Sequence, residues 1–283
     1  MSQFIHHTLM LLEDVGMSVR YPEIRHVTLE EGGKITTHMS FSSVIGTRVS
    51  IEQNPQMKFM MIFALLDFHV DATHPGMEGK SYKKKYENLP VNGDFNLILR
   101  QLFRVAKMIR NALVHNPSAF SVGAGHLTVS YSYGGTTFSV KMSAEALANF
   151  YTMIVMYLKG DMGKGSYFIG IVRSIYRSFL AGISSFSDEF GSELEKPSAG
   201  TEIKPHARQV FLNPEHEAKE GRIRIVIPER KIQEWEGMDF HISYNGDDFL
   251  IPSEVLDSAL SISEHDLVNN WKREGRFPQI KKP

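Results

Sequence analysis

The chain contains no cysteine. This excludes disulfides, cysteine–zinc sites, iron–sulfur clusters and a cysteine nucleophile together, and it fits a reducing compartment. Net charge is nearly absent as well: 31 Lys and Arg stand against 32 Asp and Glu, a balance of −1. No global basic field therefore draws nucleic acid to the protein, and any such binding has to come from a local patch. Long apolar runs are also missing, since the longest, FMMIFALL at 59–66, is far too short to span a bilayer. The N-terminal stretch MSQFIHHTLMLLEDVGM has no basic region ahead of an apolar one, so no secretory leader is expected. These absences predict a cytoplasmic protein with no membrane partner.

The familiar nucleotide and hydrolase signatures are absent too. GDMGKG at 160–165 lacks the Gly-x4-Gly-Lys-Ser/Thr spacing and does not follow a strand. No Gly-x-Ser-x-Gly and no dinucleotide fingerprint is present, and no cofactor is implied.

What the chain does contain is an ordinary globular composition, 42% hydrophobic and 22% charged over 283 residues. Apolar spacing predicts a helix over about 2–15, short strands within 20–52 around the Glu-Gly-Gly turn at 31–33, and a nearly all-apolar helix over about 55–72 after Asn54-Pro55. The adjacent pair His6-His7 points to two different faces and reads as structural. A polar loop, 79–93, leads to a helix from 95 to about 115, capped by Asp94 and stopped by Pro117. Alternation in LTVSYSY and TTFSVKM around Gly134-Gly135 predicts a β-hairpin over 127–142. Two further helices follow, from Ser143 to about Leu158 and over roughly 166–183. Residues 184–205 read as a linker or an exposed loop. Beyond it, 206–283 reads as a small α+β appendage, with an Asn245-Gly246 turn between strands and a helix over about 252–273. The whole is expected to be mainly α, with a helical domain over 1–185 carrying an inserted hairpin.

One helix carries the chemistry. In LILRQLFRVAKMIRNALVHNP, residues Arg100, Arg104, Lys107, Asn111 and His115 fall four, three, four and four apart and form one polar stripe. Arg110 lies ~140° from His115 on an ideal wheel, at ~100° per residue, but its side chain is long enough to bend back. Directly before this helix, Tyr82, Lys83, Lys84, Lys85 and Tyr86 form a basic run flanked by aromatics. Lysines can track phosphates and tyrosines can stack on unpaired bases. Together with Arg104 and Lys107, these residues are candidates for RNA binding. HVDATH at 69–74 offers His69, Asp71 and His74, but a metal needs three or four well-placed ligands, so these read as polar groups at a helix end and no metal is expected.

Arg110-Asn111, three residues and His115 resemble the motif of the HEPN superfamily: an arginine, often followed by a polar residue, and a histidine after four to six residues. The resemblance covers about 55–183. It implies a HEPN-like helical bundle and a metal-independent endoribonuclease working as a homodimer on an RNA substrate. Arg110 and His115 would then be catalytic, with Asn111 in support. It also implies a setting in toxin–antitoxin systems or antiphage defence, with an antitoxin or nucleotidyltransferase partner. Some HEPN proteins carry a modifiable tyrosine two residues after the histidine, where this chain has Pro117. The chemistry suits these residue types. RNA brings its own nucleophile, the ribose 2′-hydroxyl, an imidazole can move the proton, and a guanidinium can hold the phosphate. Two other readings stand beside it: a HEPN-like module that binds RNA or a nucleotide without cleaving it, and a structural dimerisation protein whose histidine only meets the helix macrodipole.

Overall fold

A computed structural model describes residues 54–123, 125–160, 162–205, 208–226 and 237–275, together with the backbone of 25–29 and 35–39. The chain divides into two units, Met1–Met61 and Ile62–Pro283. In the first, β1 (Arg25–Leu29) and β2 (Ile35–Met39) pair antiparallel, within the span where short strands are expected. The helix expected over 2–15, with His6-His7, lies outside the described residues.

Helix α1 (Pro55–Thr73) begins on Asn54, whose side-chain oxygen accepts the Met57 N–H at 2.9 Å. A short helix α2 (Tyr82–Asn88) then forms where a polar loop is expected. Ser81 caps it, accepting from the Lys84 N–H, and its Lys85 and Tyr86 are drawn inward. The long helix α3 (Gly93–His115) starts from Asn92 rather than from Asp94, and it ends where Pro117 requires. From Ile98 to Ile109 it is buried on almost every side except at Arg100, which makes it the central helix of the second unit. Helices α4 (Ala144–Lys159) and α5 (Ser166–Ala181) pack on each other and on α3.

The other cover over α3 is a sheet. β3 (Phe120–Gly123), β4 (His126–Tyr133), β5 (Thr136–Ser143) and β6 (Ile183–Ser187) form an antiparallel sheet in that order. The β4–β5 turn places Gly134 and Gly135 at φ 57° and 80°, the left-handed pair that a two-residue hairpin demands. Alternate residues Leu127, Val129, Phe138, Val140 and Met142 face inward. The expected hairpin over 127–142 is thus the centre of a four-stranded sheet.

C-terminal to this lie two small sheets. One has the order β11 (Asp247–Pro252), β10 (Met238–Tyr244), β7 (Gln209–Leu212), with β7 and β10 parallel; the other has the order β12 (Ser261–Ser263), β9 (Arg222–Val226), β8 (Glu215–Lys219). Asn245 and Gly246 make the β10–β11 turn as their sequence demands. The helix expected over about 252–273 does not form at that length. A 3-10 turn at Ser253–Val255, strand β12 and a short helix α6 (Glu264–Asn270) take its place. Strand β9 buries Ile223 and Ile225 and takes β12 as its second partner.

Among the described residues, strands β1 to β12 in four sheets stand beside helices α1 to α6, so the protein is α+β rather than mainly α. The strands that overturn the expectation are β3, β6, β7, β8 and β12. Segments such as ISSFS and EHEAK carry too little apolar alternation to announce themselves, and they are strands because a neighbouring strand supplies the ladder.

Candidate functional site

The polar stripe of α3 splits into two parts that behave differently. Its N-terminal part is neutralised by the segment that composition marks as a linker. After β6, residues 188–195 (DEFGSELE) lie along α3. Asp188 receives Arg104 Nε at 2.9 Å and Nη2 at 2.6 Å, while the Glu193 and Gly191 carbonyls accept from the same guanidinium at 2.8 and 3.1 Å. Lys107 pairs with Glu189. Glu195 accepts from Gln101 at 2.9 Å and meets Arg100 at 3.4 Å. Arg104 and Lys107 are each only 2% exposed. Burial opposes the charge on Arg104, but the hydrogen bonds and charge of Asp188 outweigh it and raise its pKa above the ordinary value.

The basic run of α2 divides in the same manner. Lys85 is buried, with its ammonium held between Asp67 Oδ1 at 2.6 Å and Asp71 Oδ2 at 2.7 Å. Burial disfavours the ammonium, yet the two carboxylates prevail and lift its pKa. Tyr86 is buried against Phe190, with ring centroids 4.5 Å apart. Lys85, Tyr86, Arg104 and Lys107 therefore sit in the interior, although the first two belong to the basic run read as a polar loop and the last two to the polar stripe. Lys83 and Lys84 are exposed as expected. Tyr82 is half-buried, edge-on to Phe63 at 5.0 Å.

At the C-terminal end of α3 the pattern changes. Arg110 has no carboxylate partner among the described residues. Its guanidinium lies over the Tyr82 ring, 5.0 Å from the centroid, and Nη1 donates to Asn111 Oδ1 at 3.2 Å. Asn111 thus orients the arginine, and Tyr82 forms its floor. His115 ends the helix with an exposed ring that neither a hydrogen bond nor an ion pair engages among the described residues. Val114 beside it is exposed as well. This end of α3 therefore carries a held, half-buried cation and, five residues on, an exposed imidazole.

Two other places carry polar groups. His69 and His74 of HVDATH line a cavity of about 260 Å³ with Lys164 of GDMGKG, so the structure joins two segments that are unrelated in sequence. Asp71 turns away to Lys85, and no metal-capable cluster of His, Asp or Glu occurs among the described residues. In 206–283, which shows no recognisable chemistry as sequence, a cleft of about 790 Å³ is lined by His216, His241, Asp248 and Arg273. His241 is buried there, with Nε2 3.9 Å from Asp248 Oδ1. His241 and Asp248 share the β10–β11 hairpin, the Arg273 N–H donates to the Asp248 carbonyl at 2.9 Å, and His216 follows β7, which pairs with β10.

Comparison of the chain with protein-family models, with curated proteins and with solved structures finds no match. Among the described residues, no helix is long and apolar enough to cross a membrane.

Proposed function

We propose that the protein is a metal-independent endoribonuclease in which Arg110 binds the scissile phosphate, His115 transfers protons and Asn111 orients Arg110. The observation that carries this reading is selective neutralisation. Of the cations on α3, Arg100, Arg104 and Lys107 are each met by a carboxylate, whereas among the described residues Arg110 is held only by an amide oxygen and an aromatic face. An orienting amide and a ring fix a guanidinium without cancelling its charge, which leaves that charge for a phosphate. His115, about a turn and a half further along the helix, is exposed to solvent. The resemblance of Arg110-Asn111-x3-His115 to the HEPN motif supports the same assignment, here on a helix partly covered by a sheet.

The chemistry requires three tasks: removal of the 2′-hydroxyl proton, protonation of the leaving 5′-oxygen, and stabilisation of the phosphorane. A single Arg110–His115 pair supplies too few groups for all three. Two protomers related by a two-fold axis would supply two histidines and two arginines at one cleft. The test is RNA cleavage in the presence of EDTA. His115→Ala should lower the rate ~100-fold or more with binding retained, and the products should end in 2′,3′-cyclic phosphates. RNA that is bound but never cleaved would make the protein a binding module instead.

A further inference from the structure

The cavity that joins HVDATH to GDMGKG lies near the N-terminal end of α3. From Asn96, which lines it, to His115 is roughly 28 Å along the helix at ~1.5 Å per residue. It is therefore a separate place from the proposed cleavage site, and its chemistry is independent of that site.

Its floor is aromatic. Phe95, Tyr157 and Phe168 pack at centroid distances of 4.9, 5.4 and 5.2 Å, and the Tyr157 hydroxyl is spent on the Phe95 carbonyl at 2.7 Å. Its rim holds donors: His69, Thr73, His74, Asn96 and Lys164. No carboxylate is among the described residues that line it. Lys164 is set in place by its own turn. Its N–H donates to Glu274 Oε2 at 3.0 Å. A Cβ at Gly163, whose φ is 70°, would stand 2.6 Å from Glu274 Cβ, so the turn closes on Glu274 only with glycine there. The Lys164 ammonium then lies over the Phe95 ring, 5.4 Å from its centroid.

Hydrogen bonding selects the His74 tautomer. The Thr73 hydroxyl donates to the His69 carbonyl at 2.7 Å, which uses its single proton. At 2.9 Å from His74 Nδ1 it must then accept, so Nδ1 carries a hydrogen and Nε2 is left to take up a proton. Burial lowers the pKa of both imidazoles. His69 is lowered further by the charges of His74 and Lys164, and His74 by Lys164, against an opposing contact with the Val70 carbonyl. Lys164 and two imidazoles share this lining with no carboxylate among its described residues, an arrangement that favours an anionic ligand.

We propose that this cavity binds a small molecule with an anionic head, a phosphate monoester or a carboxylate, on a flat apolar body. Lys164, His69 and His74 receive the head, and Phe95, Tyr157 and Phe168 receive the body. A volume of about 260 Å³ suits a ligand of one or two rings.

Phenyl phosphate, benzoate and phenol serve as probes, with the histidine ring signals followed by NMR and assigned through His69→Asn and His74→Asn. Phenyl phosphate or benzoate should shift both rings and raise their pKa, and the stronger of the two names the head group. Phenol should bind at least ~10-fold more weakly, and Lys164→Gln should weaken the anion ~10-fold or more. Lys164 is exposed, so that variant should unfold like the parent. His115→Ala should bind the probe as the parent does. The proposal is overturned if neither anion moves the two rings at millimolar concentration, or if Lys164→Gln binds them unchanged.

Discussion

Arg104 and Asp188 face each other through two hydrogen bonds, 2.9 and 2.6 Å long, and both side chains are essentially removed from solvent. Eighty-four residues separate them in sequence. This pair ties the strap that follows β6 to the central helix, and it explains why a helix buried on nearly every side can contain cations. Each partner makes the other's burial tolerable, so losing either leaves an uncompensated buried charge.

Arg104→Met and Asp188→Leu should each destabilise the protein by about 3–5 kcal/mol, and the double variant by clearly less than the sum. Urea unfolding of the three variants checks this. Additive losses would mean that the two side chains do not act as a pair.

Asp94 predicts an acid limb. Burial works against its ionisation, but the Ser198 backbone N–H at 3.0 Å, Arg173 Nε at 2.8 Å and the Ser198 hydroxyl overcome it, and its pKa falls below the ordinary carboxylate value. A group whose folded pKa is depressed contributes stability that is fully present above its unfolded pKa of ~3.9 and is lost as pH falls through the folded value. Unfolding free energy should therefore drop as pH falls below about 5 and through the depressed folded value, and Asp94→Asn should flatten part of that drop while lowering stability at neutral pH. An unchanged slope in Asp94→Asn would remove Asp94 from the account.

The lysines of α2 should separate by function. Lys83→Ala with Lys84→Ala should flatten the salt dependence of RNA binding by roughly 1.4 in log–log slope, at ~0.7 per contacted phosphate for single strands, with folding intact. Lys85→Met should instead lower stability, because it strands Asp67 and Asp71. A Lys85→Met protein as stable as the parent but weaker for RNA would reverse that division.

A composite site makes a mixing experiment informative. If Arg110 and His115 of two protomers share one cleft, Arg110→Ala and His115→Ala proteins should each be nearly inactive. Refolded together, they should recover a small but measurable fraction of the cleavage rate, since a mixed dimer regains one arginine and one histidine, which neither variant has together, while still lacking the second pair. Sedimentation should show a dimer at micromolar concentration. A monomer, or mixtures no more active than their components, would refute the shared cleft.

Local rules determined much of this protein from sequence alone. Pro117 stops α3 at His115, Gly134-Gly135 turns β4 into β5, Asn245-Gly246 turns β10 into β11, and Ser143 caps α4. Each of these depends on backbone geometry within a few residues, which composition dictates directly. The grouping of Arg110, Asn111 and His115 on one helix end was legible for the same reason. What the helical period could not reveal was which of its cations remain available. Arg100, Arg104 and Lys107 sit on one stripe with Asn111 and His115, and the period treats that face as a single surface. Asp188, Glu189 and Glu195 arrive there from a segment that reads as a linker. Likewise, His69 and His74 line one cavity with Lys164 only because α1, α3, α4 and α5 pack around it. Burial and charge pairing between distant segments depend on where the chain returns, and that was decided by the tertiary structure.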